Sequence, residues 1–218
     1  MMSSTATQSP PAVRFANAAQ WWDSLGNVPL DRVVFDPWPG TATEADMVRL
    51  DDHEDRICEL IDGTLVEKAV GTRESAIAMK IGYLLMSFVQ PRKLGIVLGA
   101  DGMLRLLARR VRVPDVAFIT LARLPGGRFP DEPVLEAAPD LAVEVISGSN
   151  TRGEMTNKLH DYFAAGTTLV WYVDPRTRTV DVYESPERMR HLTERDSLTA
   201  PGVLPGFTLP IAEIFQVP

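Results

Sequence analysis

Residues Pro139–Pro175 read PDLAVEVISGSNTRGEMTNKLHDYFAAGTTLVWYVDP, and this stretch decides the fold. Leu141–Ile146 is apolar except at Glu144. A run of that kind belongs to a strand covered on both faces. Thr151 and Glu154 have the spacing of a capping box, Met155, Leu159, Tyr162 and Phe163 recur at helical spacing, and Gly166 supplies the stop. The unit is therefore strand, loop, helix, turn, strand. An ionised Glu144 inside it costs several kcal/mol unless something pairs with it. Lys158 lies one turn from both Met155 and Tyr162, at the border of the apolar helix face. A lone lysine there is ordinarily a snorkelling side chain at a packing edge. The carboxylate in the adjoining strand argues instead for a site, while Asn157, His160 and Asp161 are expected to point elsewhere.

Outward from this unit, Ile57–Ile61 and Thr64–Val70 read as strands joined by Asp62-Gly63, a two-residue hairpin signal. Glu59 shares a face with Ile57, Ile61 and Val66. Arg73–Gln90 is a helix with Ile77, Ile81, Leu84, Leu85 and Phe88 on one side, closed by Pro91. Gly95–Ala100 and Met103–Leu107 read as a strand pair around Asp101-Gly102. Val111–Thr120 reads as one strand, with Asp115 on the face of Val111, Val113, Ala117 and Ile119. Pro114 marks it as an edge or a bulge. Leu121–Ala138 is a loop, Leu169–Asp174 and Thr179–Glu184 form a hairpin, Leu192–Leu198 adds a strand, and Pro205–Phe215 ends on a short helix. Residues 1–43 are expected to form an N-terminal arm, partly disordered, and residues 44–218 one folded domain that opens on a short helix around Glu44–Leu50.

A single cysteine, Cys58, excludes an internal disulfide and a cysteine-based zinc site. No apolar stretch approaches the roughly 20 residues of a membrane helix, and the first residues lack the apolar core of a secretory signal. A cytoplasmic protein without a membrane partner is expected. The net charge of −7 argues against binding nucleic acid by bulk charge. Yet Arg73–Arg128 holds ten basic residues against three acids, a local excess that suits a polyanion. Arg105, Arg109, Arg110 and Arg112 are its densest part and the candidates for contacting nucleic acid; pairing with the chain's own acids is the other use for such arginines.

Glu59, Asp115 and Glu144 are three acids in strand-like apolar settings. With a lysine at the helix border they suggest a site for a hard cation, Mg²⁺ or Mn²⁺, which takes oxygen ligands and substrate phosphate. Asp115 and Glu144 would be the ligands, with the Val145 carbonyl. Lys158 would orient or activate a water and stabilise the developing oxyanion. Glu59 is a supporting acid, and Tyr162 packs beside Lys158 as a hydrogen-bonding partner. His53, His160 and His191 lack metal-ligand spacing, Ser147 and Ser149 lack a G-x-S-x-G context, and no glycine-rich nucleotide loop is present. Paired-carboxylate glycosidase chemistry suits the lysine and the arginine excess less well than phosphate does.

ELIDGTLVE at Glu59–Glu67, VPDVAFI around Pro114-Asp115, PDLAVEVIS around Glu144, the run Lys158 to Tyr162 and AAGTTLVWYVDP together resemble the Uma2 family, a restriction-endonuclease-like domain of the PD-(D/E)xK nuclease superfamily. The likeness spans roughly Glu44–Phe215. It implies an α/β (α+β) fold, a mixed β-sheet flanked by helices with extra β-hairpins. It also implies a divalent metal, hydrolysis of DNA phosphodiester bonds, and a homodimer able to cut two strands. Ile146 stands where an E-x-K lysine would be, so the resemblance gives that role to Lys158. Ser75 replaces a histidine often seen on the first long helix. The alternative is a catalytically weak, nuclease-like module that binds nucleic acid or regulates.

Overall fold

The computed structural model describes residues 14–69, 71–129 and 131–216. A five-stranded and a six-stranded sheet share the helix at Arg152–Ala164 between them. The six-stranded sheet runs β11(Arg188–Thr193), β10(Thr179–Ser185), β9(Leu169–Asp174), β8(Leu141–Val145), β6(Val116–Thr120), β3(Gly95–Leu98). Its β8–β9 pair is parallel and the other pairs are antiparallel, so the sheet is mixed. The five-stranded sheet runs β2(Thr64–Glu67), β1(Cys58–Ile61), β5(Arg110–Arg112), β4(Met103–Leu107), β7(Val134–Leu135). A ribbon of β12(Ser197–Ala200) and β13(Leu204–Pro210) leads into a last turn of helix at Ile211–Ile214.

Alternation along β8 decides what each face meets. Leu141, Val143 and Val145 pack with Ile77, Ile81 and Leu85 of the long helix at Thr72–Arg92. Ala142 lies on the other face, with Met155, Leu159 and Tyr162 of the helix at Arg152–Ala164. Glu144 follows the parity of Ala142 and so points at that second helix. Both expected capping partners are in place there: the Thr151 hydroxyl accepts from the Glu154 N–H, and Glu154 accepts from the Thr151 N–H.

Several expectations need correction. Val111–Thr120 is two strands in two different sheets, β5 and β6, with Val113-Pro114-Asp115 as the crossing. Pro114 has no N–H to give a ladder. The N–H groups on either side go elsewhere, Val113 to a Glu59 carboxylate oxygen and Asp115 to the Val143 carbonyl. Gly95–Leu98 and Met103–Leu107 do not pair with each other: β3 pairs with β6, and β4 with β5 and β7. Leu192–Leu198 spans the end of one strand and the start of another, and most of Pro205–Phe215 is β13. Pro91 lies within the last turn of its helix, which closes at Lys93 in the left-handed region. The Asp62-Gly63 hairpin is present, both residues at positive φ.

The part of the expected arm that falls on residues 1–13 lies outside the described residues. From Ala18 the chain is structured, with a helix at Ala18–Ser24, a 3-10 turn at Leu30–Arg32 and a bridge from Val33 to Val66. The helix expected near Glu44 runs Glu44–Glu54, and its Met47 and Leu50 are buried against the five-stranded sheet. Among the described residues no helix is long and apolar enough to cross a membrane.

Candidate active site

The helices at Ala18–Ser24, Glu44–Glu54, Thr72–Arg92 and Arg152–Ala164 are α1, α2, α3 and α4 in chain order. Helix α4 buries two adjoining stripes. Met155, Leu159 and Tyr162 form the apolar one against the six-stranded sheet. Glu154, Lys158 and Asp161 form the charged one, each at most 5% exposed. These three recur one turn apart, and the five-stranded sheet supplies partners for the last two. Asp161 therefore does not point away, as expected from sequence, but into the seam between the sheets.

Lys158 is central. Its ammonium lies 3.0 Å from Glu59 Oε1, and 3.4 and 3.2 Å from the two oxygens of Glu144. The Tyr162 hydroxyl donates to Glu144 Oε1 at 2.6 Å. Glu59 also accepts from Arg112 at 2.8 Å and from the Val113 N–H at 3.2 Å. Arg112 spans to Asp161 at 2.6 Å, and Arg110 joins Asp161 at 2.9 Å and Asp62 at 2.6 Å.

Asp115 stands one step beyond the last rung between β6 and β8, Val116 to Val143, which puts it beside Glu144. Its Oδ2 accepts from the Val145 N–H at 2.6 Å, and its Oδ1 meets the Lys68 ammonium at 2.9 Å. Lys68 also donates to the Ala100 carbonyl. The far side of Asp115 opens on a cavity of about 230 Å³ walled by Ser75, Met79, Tyr83 and Met86 of α3 and by Leu98 and Ala100.

The electrostatics follow from these distances. Burial opposes ionisation of Glu59, but Lys158, Arg112 and two hydrogen bonds outweigh it and hold the carboxyl down at about 2. Burial also dominates at Glu144. Asp115 and Glu59 add to it, Lys158 and Lys68 oppose it, and the carboxyl is pushed up to about 7. One ammonium serves both acids, and Glu59, nearer to it and holding a guanidinium as well, takes the larger share. Burial works against the Lys158 ammonium, yet Glu144, Glu59 and Glu154 raise its pKa above the usual lysine value. Tyr162 is held neutral by burial and by the neighbouring carboxylates.

The structure thus brings Glu59, Asp115, Glu144, Val145, Lys158 and Tyr162 into one seam. Whether they accept a hard cation depends on free carboxylate oxygens. As folded they do not fit one. Both oxygens of Asp115 are used, by Lys68 and the Val145 N–H, and both of Glu144 by Lys158 and Tyr162. Val145 meets the site through its N–H. Among the described residues no group of three or more His, Cys, Asp or Glu is arranged to hold a metal ion.

The four arginines expected on a nucleic-acid face are turned inward or committed. Arg112 is 1% exposed and out of reach of any phosphate. Arg110 serves Asp62 and Asp161, Arg109 donates to the Gly40 and Asp62 carbonyls, and Arg105 pairs with Glu44 and Glu136. Sequence reasoning missed Lys68 and Asp161. The stripe Glu154, Lys158, Asp161 was a usable signal for the second; Lys68, two residues beyond Val66 on β2, offered only strand alternation for the first.

Comparison with known proteins agrees with this fold. A crystal structure described as a putative nuclease belonging to DUF820, from Anabaena variabilis, superposes with a TM-score of 0.66 at 22% identity, covering 74% of this chain and 90% of that one. At that identity the likeness is one of fold. No curated protein matches. The model of the Uma2 family, described as "Putative restriction endonuclease", matches residues 45–212, and because that is well over half of the chain, the protein belongs to the Uma2 family.

Proposed function

We propose that this chain is a nuclease-fold module that binds nucleic acid, or regulates through such binding, with weak catalysis or none. One observation carries the reading: every acid of the seam is already neutralised by an internal cation, Asp115 by Lys68, Glu144 by Lys158, Glu59 by Lys158 and Arg112. Each of these carboxylates already has an internal cation beside it, and a site so filled has no ready place for a metal ion. The fold and the family support nucleic acid as the ligand class.

A second reading has its own support. Asp115 and Glu144 lie side by side with Lys158 at 3.2 Å from Glu144, which favours a Mg²⁺- or Mn²⁺-dependent DNA endonuclease with Asp115, Glu144 and Val145 as ligands, Glu59 supporting and Lys158 catalytic. That reading requires Lys68 and Tyr162 to leave the carboxylates first.

Labelled duplex and single-stranded DNA, with Mg²⁺ or Mn²⁺, separate the two. The expected result is retardation of the DNA without cleavage, unchanged in Glu144→Gln. Metal-dependent nicking of supercoiled plasmid, lost in correctly folded Glu144→Gln and Lys158→Ala, would replace this reading with the endonuclease. Neither retardation nor cleavage would remove both.

A further inference from the structure

Lys68 is the cation of the seam that meets Asp115. It follows β2, in the five-stranded sheet, and its own N–H is fixed to the Ile57 carbonyl. Its side chain is 5% exposed and ends between two acceptors, Asp115 Oδ1 at 2.9 Å and the Ala100 carbonyl at 3.0 Å. Asp115 leads into the six-stranded sheet, so this ion pair bridges the two sheets. Burying an ammonium is costly, and pairing together with hydrogen bonding is what offsets the cost. The backbone anchor at one end and the paired acceptors at the other hold the charge at Asp115.

We propose that Lys68 is a built-in counter-ion, its ammonium standing at Asp115 where a divalent cation would have to bind, so that the folded chain excludes such ions. Asp115 has one oxygen committed to the Val145 N–H and the other to Lys68. A cation reaching Asp115 Oδ1 meets an ammonium already in place. Removing that charge frees Asp115 Oδ1 and leaves Asp115 and Glu144 with one positive group fewer between them. A hard cation is the species suited to fill the gap.

This inference rests on the metal-free reading of the seam and assigns it to one residue, and its test uses no nucleic acid. MnCl₂ is titrated calorimetrically into the full-length protein, wild type, Lys68→Met and Lys68→Gln, with circular dichroism to check the fold. Lys68→Gln keeps a donor for the Ala100 carbonyl, so it serves if Lys68→Met does not fold. The expected result is Mn²⁺ binding at least tenfold tighter in the folded variants than in wild type, with the gain abolished by adding Asp115→Asn. Equal Mn²⁺ affinity in wild type and the folded variants overturns the proposal, and so does a gain that persists without the Asp115 carboxylate. A gel shift with the same proteins reports separately on nucleic-acid binding, so failure of one idea is not mistaken for failure of the other.

Discussion

Lys158 serves two carboxylates unequally, and the inequality has a measurable consequence. Glu144, pushed up to about 7 in the folded chain, has an ordinary carboxyl value when unfolded. The folded state therefore holds more protons at this residue between about pH 4.5 and 7, and stability falls as pH rises through that window. Glu59 has the opposite sign. Held at about 2, it contributes stability that is present above its unfolded value and lost only as pH falls below about 4.5. Urea midpoints from pH 4.5 to 7.5 should decline in wild type relative to Glu144→Gln, whose amide does not titrate. Parallel curves for the two proteins would mean that Glu144 is ionised throughout. The sequence was informative about this pair, because a lone acid in an apolar strand must find a partner and Lys158 stood on the next helix. Arg112 was not readable in the same way: its charge is visible in the sequence, but its depth is set by β5 lying between β1 and β4.

At the level of elements, α4 explains both what was read correctly and what was not. Its apolar stripe follows from spacing, and its capping box from four residues. In the charged stripe beside it Lys158 is placed by its carboxylate partner, but Asp161 is misplaced as pointing away, because a helix wedged between two sheets buries more than one side. The single strand expected at Val111–Thr120 failed for a related reason. Alternation continues smoothly across Pro114, while the chain changes sheets there and a side chain, Glu59, takes up the Val113 N–H. Residues before the family match also hold α4. Arg32 pairs with Glu154 at 2.8 Å, Asn157 donates to the Ser24 carbonyl, and Thr151 donates to the Gly26 carbonyl. The approach is close enough to require glycine on both sides. A Cβ on Gly26 would sit 2.2 Å from the Glu154 nitrogen, and one on Gly153 2.6 Å from the Gly26 carbonyl oxygen, backbone atoms in both cases. Gly153→Ala should therefore cost about 1–3 kcal/mol by overpacking, and Gly26→Ala at least as much, since its φ of +77° is itself unfavourable for alanine. Chemical denaturation of the two variants checks this; wild-type midpoints would mean that the extension is not seated on α4.

For the molecule as a whole, the fate of the basic residues decides where nucleic acid can lie. The local positive excess is real in sequence, but composition does not say which arginines the fold consumes. Arg105, Arg109, Arg110 and Arg112 go to internal acceptors. On α3, by contrast, Arg73 and Lys80 are seven residues apart and so share a face, and among the described residues neither has an ion pair. Nearby on the same helix Met79 and Tyr83 are exposed, 74% and 60%. Both line the cavity that reaches Asp115. Basic side chains beside an exposed aromatic ring are the combination that holds a single strand, charge on phosphate and ring on base. The double variant Arg73→Glu/Lys80→Glu should weaken DNA retardation and lower the slope of log K against log salt by about one for each phosphate left without its cation. Tyr83→Ala should weaken single-stranded DNA binding by about 1–3 kcal/mol and leave the salt slope alone. Arg105→Ala, which removes only partly exposed ion pairs, should change neither binding nor, beyond about 1 kcal/mol, stability. The opposite pattern, with Arg105→Ala flattening the salt slope and the α3 variants binding normally, would move the interface to the five-stranded sheet and require Arg105 to release Glu44 and Glu136 when DNA arrives.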